Sequence, residues 1–203
     1  MNLTRKALLV IFLILILDQV LKFIVKTSMP LGATQPVIGS WFLIRFIENP
    51  GMAFGIDIPG KLGKPLLTIF RMIAAGIIGW YLRSLIIKKA SAGFIICISM
   101  IFAGAVGNII DSLFYGLIFS ESTYFNTAEI LPEGGGYASL LNGRVVDMLY
   151  FPVIEGNFPD WFPVWHGQRF IFFRPIFNIA DSAISVGVIS ILLFQRKYLR
   201  EIR

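Results

Sequence analysis

The sequence predicts an all-α membrane protein with a small β element: four transmembrane helices, with a short β-rich segment and a long loop on the outer face. Three observations lead to this prediction. The 203-residue chain is 56% hydrophobic and only 15% charged, and its mean hydropathy of +0.76 is far above that of water-soluble domains. Its apolar residues fall into runs of about 20, the length that crosses a bilayer. Basic residues gather at the ends of these runs.

Four apolar runs have the length of a membrane span: residues 7–25, 66–87, 94–118 and 176–194. The first resembles a signal peptide. No small-x-small cleavage motif follows it, however, and Asp18, Gln19 and Lys22 interrupt its second half, so we interpret it as a permanent helix. We therefore expect a single integral-membrane domain over residues 1–203.

The distribution of charge predicts the orientation of the helices. Basic residues cluster before the first span, between the second and third, and after the fourth: Arg5, Lys6, Arg83, Lys88, Lys89, Arg196, Lys197, Arg200 and Arg203. Only Glu201 among the acidic residues shares these segments, so the positive-inside rule puts both termini in the cytoplasm. Connections 27–65 and 119–175 then face outward. The net charge of +6 reflects this topology rather than nucleic-acid binding, which requires a basic face with interleaved aromatic residues.

The two outer connections carry different signals. The run 41–48 is apolar enough for a short sheet at the membrane interface, and it ends in Asn49-Pro50-Gly51, where proline and glycine predict a turn. The second connection contains an aromatic cluster whose amphipathic rings suit the lipid headgroup layer: Phe158, Trp161, Phe162 and Trp165.

Polar side chains at membrane depth are costly, so those in the predicted spans are candidate functional residues. In the first span, Asp18 and Lys22 are four residues apart on one face, which predicts a local ion pair with Lys22 extending outward. Arg71, near the outer end of the second span, is interpreted as an anchor that reaches phosphate groups. The single His166 and single Cys97 exclude a histidine-rich metal cluster and an intramolecular disulfide.

The third span ends with an asparagine and an aspartate on one face. Asn108 and Asp111 are three residues apart, so both side chains point the same way. Gly104 and Gly107 on the same helix allow close packing of a neighbouring helix. Packing explains the glycines but not the amide and the acid.

The fourth span repeats this spacing with Asn178 and Asp181. Pro175 favours a first helical turn, which predicts that the helix begins there. Asp181 would then lie roughly 9 Å below the helix start, just under the outer surface. Because a lipid-facing aspartate is unfavourable at that depth, we expect Asp181 to face the interior of the bundle.

Asp147 closes a short β-branched run, Val145-Val146, and two interpretations stay open. It is either an aspartate at a strand end, in a turn, or one member of a catalytic pair with Asp181. Two carboxylates within a few Å of each other share one proton. One then acts as general base toward a water molecule while the other, protonated, polarises a carbonyl group.

Five blocks, in this order, resemble the bacterial lipoprotein signal peptidase (signal peptidase II) family over essentially the full chain: Asp18-Gln19-Val20-Leu21-Lys22, Glu48-Asn49-Pro50-Gly51-Met52-Ala53-Phe54, Gly107-Asn108-Ile109-Ile110-Asp111, Val145-Val146-Asp147-Met148 and Phe177-Asn178-Ile179-Ala180-Asp181-Ser182. The resemblance implies that Asp147 and Asp181 are the catalytic dyad of an intramembrane aspartic endopeptidase. It also implies site-lining or substrate-binding roles for a second set: Asn49, Gly51, Asn108, Asn178 and Ala180. Asp18, Lys22 and Asp111 would form its polar support.

By the same resemblance, the substrates are prolipoproteins with a diacylglyceryl group on the lipobox cysteine, and the cut falls on the N-terminal side of that cysteine. The enzyme is expected in the bacterial cytoplasmic (inner) membrane as a monomer. Its site would lie near the outer, periplasmic face, in contact with membrane lipid. The family is the target of globomycin, and neither a metal ion nor an organic cofactor is expected.

Two features depart from the family pattern. Ser112 stands where the family usually has an arginine, and we hypothesise that Arg144, three residues before Asp147, supplies the missing charge within the substrate-binding set. The segment 117–142 replaces a very short link. It is either a mobile surface insertion or a flap or partner site over the dyad.

A small membrane transporter or channel subunit is the alternative function. Such a protein places its polar residues near the midplane, often on broken helices of symmetric halves. Here Asp111, Asp147 and Asp181 gather at one face, and the sequence has no internal repeat. A lipid phosphatase or acyltransferase would require a histidine or arginine cluster.

Overall fold

The computed structural model describes residues 2–50, 62–161, 163–195 and 198, with only the backbone of Glu155. Gly51, Phe162 and the basic residues after Gln195 lie outside the described residues. The elements follow in the order α1 (Leu3–Ser28), β1 (Thr34–Ile38), β2 (Phe42–Asn49), α2 (Gly63–Ile87), α3 (Ala92–Ile110), a π-helical turn (Asp111–Tyr115), α4 (Gly116–Ile118), β3 (Val145–Tyr150), β4 (Ile154–Asn157), β5 (Arg169–Phe172), β6 (Ile176–Phe177) and α5 (Ile179–Phe194). The predicted class, a helical protein with a small β element, is confirmed.

Three helical segments of the described chain are long and apolar enough to cross a membrane: Leu3–Ser28, Gly63–Ile87 and Ala92–Ile118. Each begins before the corresponding predicted span, and in α1 and α3 a side-chain cap fixes the earlier start. The Asn2 side chain accepts a hydrogen bond from the Arg5 N–H at 2.8 Å, and the Ser91 hydroxyl accepts one from the Phe94 N–H at 3.2 Å. Helix α5, with 16 residues, is shorter.

The predicted start of the fourth span is wrong. Ile176 and Phe177 form strand β6, which pairs with β3, and Pro175 precedes this strand. Asn178 is the N-cap of α5: its side chain accepts from the Asp181 N–H at 2.8 Å, and the Asp181 carboxylate accepts from the Asn178 N–H at 3.4 Å. This capping box puts the N-cap three residues after Pro175, and the helix begins one residue later, at Ile179. Asp181 therefore lies in the first turn of α5 rather than well below the helix end.

The sheet has the order β1-β2-β3-β6, and its paired strands are antiparallel. Ile47 pairs with Asp147 and Asn49 with Val145, so Asp147 lies within β3. The interpretation of Asp147 as a strand-end residue in a turn is thus wrong. Every residue of β3 is buried. Strands β4 and β5 form a separate two-stranded ribbon.

Helix α3 packs against α1, α2 and α5. One buried apolar cluster lies between the end of α1, the sheet and the chain after α4, and it includes Val25, Met29, Phe46, Phe119, Val146 and Met148. A second joins the opposite ends of the four long helices and includes Ala7, Leu82, Phe94, Ile95, Cys97 and Ile191. The polar residues predicted for the site on α1, α3 and α5 lie between these two clusters.

The predicted close packing at the α3 glycines is confirmed. A Cβ atom at Gly104 would come within 2.2 Å of the Ala180 carbonyl oxygen, which belongs to the backbone of α5. A Cβ atom at Gly107 would come within 2.9 Å of Asp18 Oδ2. Both positions therefore require glycine for α1, α3 and α5 to approach as closely as they do.

We expect Gly104→Ala to lower the free energy of unfolding by about 1–3 kcal/mol, because α5 must move away from the added methyl group. Denaturant titration of the detergent-solubilised protein measures this. Gly76→Ala in α2 is the matched control, since no atom lies within 4 Å of the Cβ position there. That control should not destabilise the protein, because alanine is the better helix former. Equal losses in the two variants would contradict the close approach of α3 and α5.

Candidate active site

Asp147 and Asp181 come from different elements, and the side chain and backbone of Asn178 join them. Asn178 Nδ2 donates to Asp147 Oδ1 at 2.7 Å, and the Asn178 backbone N–H donates to Asp181 Oδ2 at 3.4 Å. Asp147 is only 5% exposed, whereas Asp181 is half-buried. The N-cap of α5 thus brings both predicted catalytic aspartates to one centre.

Each of the two carboxylates also accepts a hydrogen bond from a second asparagine. Asn49 Nδ2 donates to Asp147 Oδ2 at 3.2 Å, and Asn108 Nδ2 donates to Asp181 Oδ1 at 2.8 Å. Asn178 Nδ2 also lies 3.1 Å from Asn108 Oδ1, which links the two sides. These donors are neutral, so they orient the carboxylates without supplying a counter-charge.

The electrostatic surroundings favour a proton on this pair. Burial raises the pKa of Asp147 to about 7, and the nearby Asp181 carboxylate adds to the rise. Hydrogen bonds from Asn49 and Asn178 and the charge of Lys22 oppose it. Arg71 on α2 also interacts electrostatically with Asp181 and Asp147, so Arg71 lies near the dyad. At neutral pH the pair can therefore hold one proton between two carboxylates.

A buried ionic network lies behind the dyad. Lys22 Nζ is 2.8 Å from Asp18 Oδ2 and 2.8 Å from Asp111 Oδ2, and all three side chains are fully buried. Lys22 Nζ also donates to Asn108 Oδ1 at 3.1 Å. The predicted Asp18–Lys22 ion pair is confirmed. The prediction that Lys22 extends outward is wrong, because Asp111 and Asn108 on α3 and its extension hold it inside the bundle.

The network also holds the backbone beside each aspartate of the dyad. Asp18 Oδ1 accepts from the Ala180 N–H at 2.9 Å, one residue before Asp181. Asp111 Oδ2 accepts from the Val146 N–H at 3.2 Å, one residue before Asp147. Asp18 and Asp111 therefore fix the main chain on the two sides of the site.

Sequence reasoning gave no role to Gln19, although it stands directly after Asp18 in the polar part of the helix. Gln19 Nε2 donates to Asp111 Oδ1 at 3.0 Å and to Asp18 Oδ2 at 3.1 Å. Its oxygen accepts from the Tyr115 hydroxyl at 3.2 Å. Gln19 thus spans both acids of the network. Its position beside an intramembrane acid was the available signal.

The remaining predicted site residues lie in different places. The Ala180 side chain is fully buried, so the geometry gives it a packing role, and its contact with substrate stays a prediction. Ser112 donates to the Asn108 carbonyl oxygen at 3.0 Å. Arg144 binds Glu48 and Glu121, each at 3.0 Å, rather than a member of the dyad. Gly51 lies outside the described residues.

A membrane-embedded aspartic peptidase requires two neighbouring carboxylates, held by hydrogen bonds, among apolar helices. The fold and the site define this class of enzyme. Residues 10–196 match the family model described as Signal peptidase (SPase) II. The chain belongs to the signal peptidase II family and is a peptidase.

Similar proteins agree with this assignment. The lipoprotein signal peptidase of Porphyromonas gingivalis is 51% identical over 184 residues, which cover 90% of this chain and 79% of that protein. The lipoprotein signal peptidase of Amoebophilus asiaticus is 38% identical, with 93% and 77% covered. A solved bacterial membrane enzyme, determined in meso at 2.3 Å, is 28% identical with a TM-score of 0.61, covering 97% of this chain and 91% of that one.

Proposed function

We propose that this protein is an intramembrane aspartic endopeptidase that removes signal peptides from diacylglyceryl-modified prolipoproteins, with Asp147 and Asp181 as the catalytic dyad. The single observation that carries the proposal is the bridge by Asn178, which contacts both carboxylates. Two carboxylates that neutral amide groups hold together by hydrogen bonds can share a proton, which is the condition for aspartic catalysis.

The geometry supports a mechanism in which the two aspartates have complementary roles. The ionised carboxylate accepts a proton from a water molecule as the water attacks the scissile carbonyl carbon. The protonated partner donates a hydrogen bond to the carbonyl oxygen, where negative charge develops. The proton taken from water then passes to the nitrogen of the leaving amine, and the peptide C–N bond breaks. Because the dyad titrates as a pair, the shared proton belongs to both residues.

The substrate class follows from the relatives, which are named lipoprotein signal peptidases. In the proposed reaction, the cut falls on the N-terminal side of the lipidated cysteine. The diacylglyceryl group would stay in the lipid phase and hold the scissile bond at a fixed depth. Binding energy from these acyl chains, remote from the reacting atoms, would position the bond at the dyad.

We also propose the membrane arrangement that goes with this function. The chain would cross the bacterial cytoplasmic (inner) membrane four times as a monomer, with α5 as the fourth span, both termini in the cytoplasm and the dyad near the periplasmic face. Exposed aromatic residues on strand β5 and in the β4–β5 connection support contact with lipid headgroups, since Phe172 is 61% exposed and Trp161 78% exposed. Globomycin would bind at the dyad in place of substrate.

The proposal is tested with the purified protein in detergent and a prolipoprotein prepared with and without its diacylglyceryl group. We expect cleavage of the modified substrate only, giving a mature product whose mass begins at the lipidated cysteine. Globomycin should inhibit this cleavage. Equal cleavage of the unmodified substrate, or a cut at another bond, would contradict the assigned substrate class.

A further inference from the structure

A second buried ionic cluster lies on the strand pair that carries the dyad residue Asp147. Lys26 of α1 forms an ion pair with Glu48 of β2, with side-chain exposures of 0% and 2%. Arg144, directly before β3, binds the other oxygen of Glu48 at 3.0 Å. Burial alone would raise the pKa of Glu48, but Lys26, Arg144 and Ser122 outweigh it and hold that pKa below its usual value. Glu48 is therefore the charged centre of this cluster.

The segment 117–142 completes the cluster. The Ser122 hydroxyl donates to Glu48 Oε1 at 2.8 Å and accepts from Lys26 Nζ at 2.9 Å. The Tyr137 hydroxyl accepts from the Arg144 backbone N–H at 2.6 Å, and the Tyr137 ring centroid lies 4.9 Å from Lys26 Nζ. Within the described chain, the segment is thus bound to α1, β2 and the start of β3 by side chains that are mostly buried.

The same segment is bound to the main chain near the end of α1. The Leu31 N–H donates to the Thr123 carbonyl oxygen at 2.8 Å, and the Ala128 N–H donates to the Lys26 carbonyl oxygen at 3.2 Å. Ser122 is 3% exposed and Ala128 4% exposed. At these two residues the segment packs against the protein, whereas Phe125 at 89% and Leu131 at 74% are exposed.

The cluster meets β2 and β3 where they carry residues of the active site. Glu48 directly precedes Asn49, whose amide binds Asp147 Oδ2 at 3.2 Å. In the sheet, Glu48 pairs with Val146 and Asn49 pairs with Val145. A shift of Glu48 would therefore move the Asn49 amide relative to the Asp147 carboxylate.

We propose that Glu48 is a positioning residue for catalysis: by binding Lys26, Arg144 and Ser122, it keeps the Asn49 amide on Asp147. Ser122 and Tyr137 of the segment 117–142 are then part of this support. This inference rests on the proposed function of the dyad. It also assigns Arg144 to the support of β2 and β3.

The pH dependence of cleavage separates positioning from simple electrostatics. In the part of the chain that the structure describes, the charged groups that act on Asp147 include Asp181 of α5, Lys22 of α1 and Arg71 of α2. The hydrogen bond from Asn49 lowers the pKa of Asp147, so loss of this bond would raise that pKa. Loss of the Glu48 charge without any movement would act in the opposite direction, because Lys26 and Arg144 would then be uncompensated cations.

The test compares Glu48→Gln, which keeps the shape of the side chain, with Asp160→Asn, which also replaces a carboxylate by its amide but at an exposed position outside the cluster. For Glu48→Gln we expect kcat to fall about tenfold or more with KM nearly unchanged. Its profile of kcat/KM against pH should move to higher pH. Asp160→Asn should match the wild type in both kcat and the pH profile. Ser122→Ala should change kcat and the pH profile in the same direction as Glu48→Gln but less, and it tests the inference if Glu48→Gln does not fold.

Three results would overturn the inference. Glu48→Gln with a lowered unfolding midpoint but wild-type kcat and pH profile would show a structural role only. A shift of the profile to lower pH would show an electrostatic role without positioning. The third result is independent of catalysis: unchanged hydrogen exchange of the β3 amides in Glu48→Gln would refute the support of the strands by this cluster. Failure of the wild type to cleave the lipidated substrate would contradict the proposed function rather than this inference.

Discussion

Asp147→Asn and Asp181→Asn are each expected to lower kcat for cleavage of a diacylglyceryl-modified prolipoprotein by roughly 10⁴-fold or more. Asparagine fills the same space and keeps a hydrogen bond to Asn178, but it can neither accept the proton of the attacking water nor share a proton with its partner. Since the two aspartates act as one unit, the double variant should be hardly less active than either single variant.

Quantitative mass spectrometry of the released signal peptide measures these rates. The unfolding midpoint of each variant is measured first, and rates are compared only between proteins whose midpoint equals that of the wild type. Asp160→Asn is the control, because it makes the same chemical change at an exposed position of the β4–β5 connection and should leave kcat unchanged. Substantial cleavage by either dyad variant would exclude the aspartic mechanism at this pair. Asp111 would then be the next candidate.

The helices and the residues Asn108, Asn178 and Asp181 of the site could be predicted from local patterns. Apolar runs are recognised within about 20 residues, and the asparagine–aspartate spacing within four. The start of α5 could not be predicted in this way. Pro175 is a valid helix-start signal, but Asn178 and Asp181 cap each other's backbone, and Ile176 and Phe177 pair with β3. Strand β3, which is distant in sequence, thus decides between two helix starts that are both acceptable locally.

The environment of Lys22 shows the same limit. Its i, i+4 partner Asp18 was visible in the sequence, whereas its second partner Asp111 belongs to the extension of α3. With one carboxylate, a lysine near a helix end gains by extending toward water. With two carboxylates and the Asn108 oxygen around it, the ammonium group has its hydrogen bonds satisfied inside the bundle. Only the packing of α1 against α3 settles which case applies.

The cluster around Glu48 was not predictable from spacing, because its members come from four parts of the chain. Lys26 directly follows the first predicted span, residues 7–25, and it lies buried within α1. Ser122 carries no sequence signal of its own. The length of the segment 117–142 was the visible clue, and the contacts of Ser122 and Tyr137 give that length a physical reason.

The largest effect on stability is expected for Lys22→Met. Methionine fills most of the lysine volume but leaves Asp18 and Asp111 as two buried carboxylates without the cation that binds both. Breaking a buried ion pair by removing one partner costs about 3–5 kcal/mol, and we expect a loss of this size in the free energy of unfolding. Lys88→Met, at an exposed position, is the control and should change it by less than about 0.5 kcal/mol.

A double-mutant cycle with Asp111→Asn tests whether the loss comes from the uncompensated charges. Lys22→Met combined with Asp111→Asn removes one cation and one anion, so the network keeps the net charge of the wild type. Its loss in the free energy of unfolding should be smaller than the sum of the two single losses by about 1 kcal/mol or more. Additive losses would mean that Lys22 stabilises the bundle through packing of its aliphatic chain rather than through its charge. In that case Asp18 and Asp111 would have to be satisfied by Gln19 and by the Ala180 and Val146 backbone amides alone.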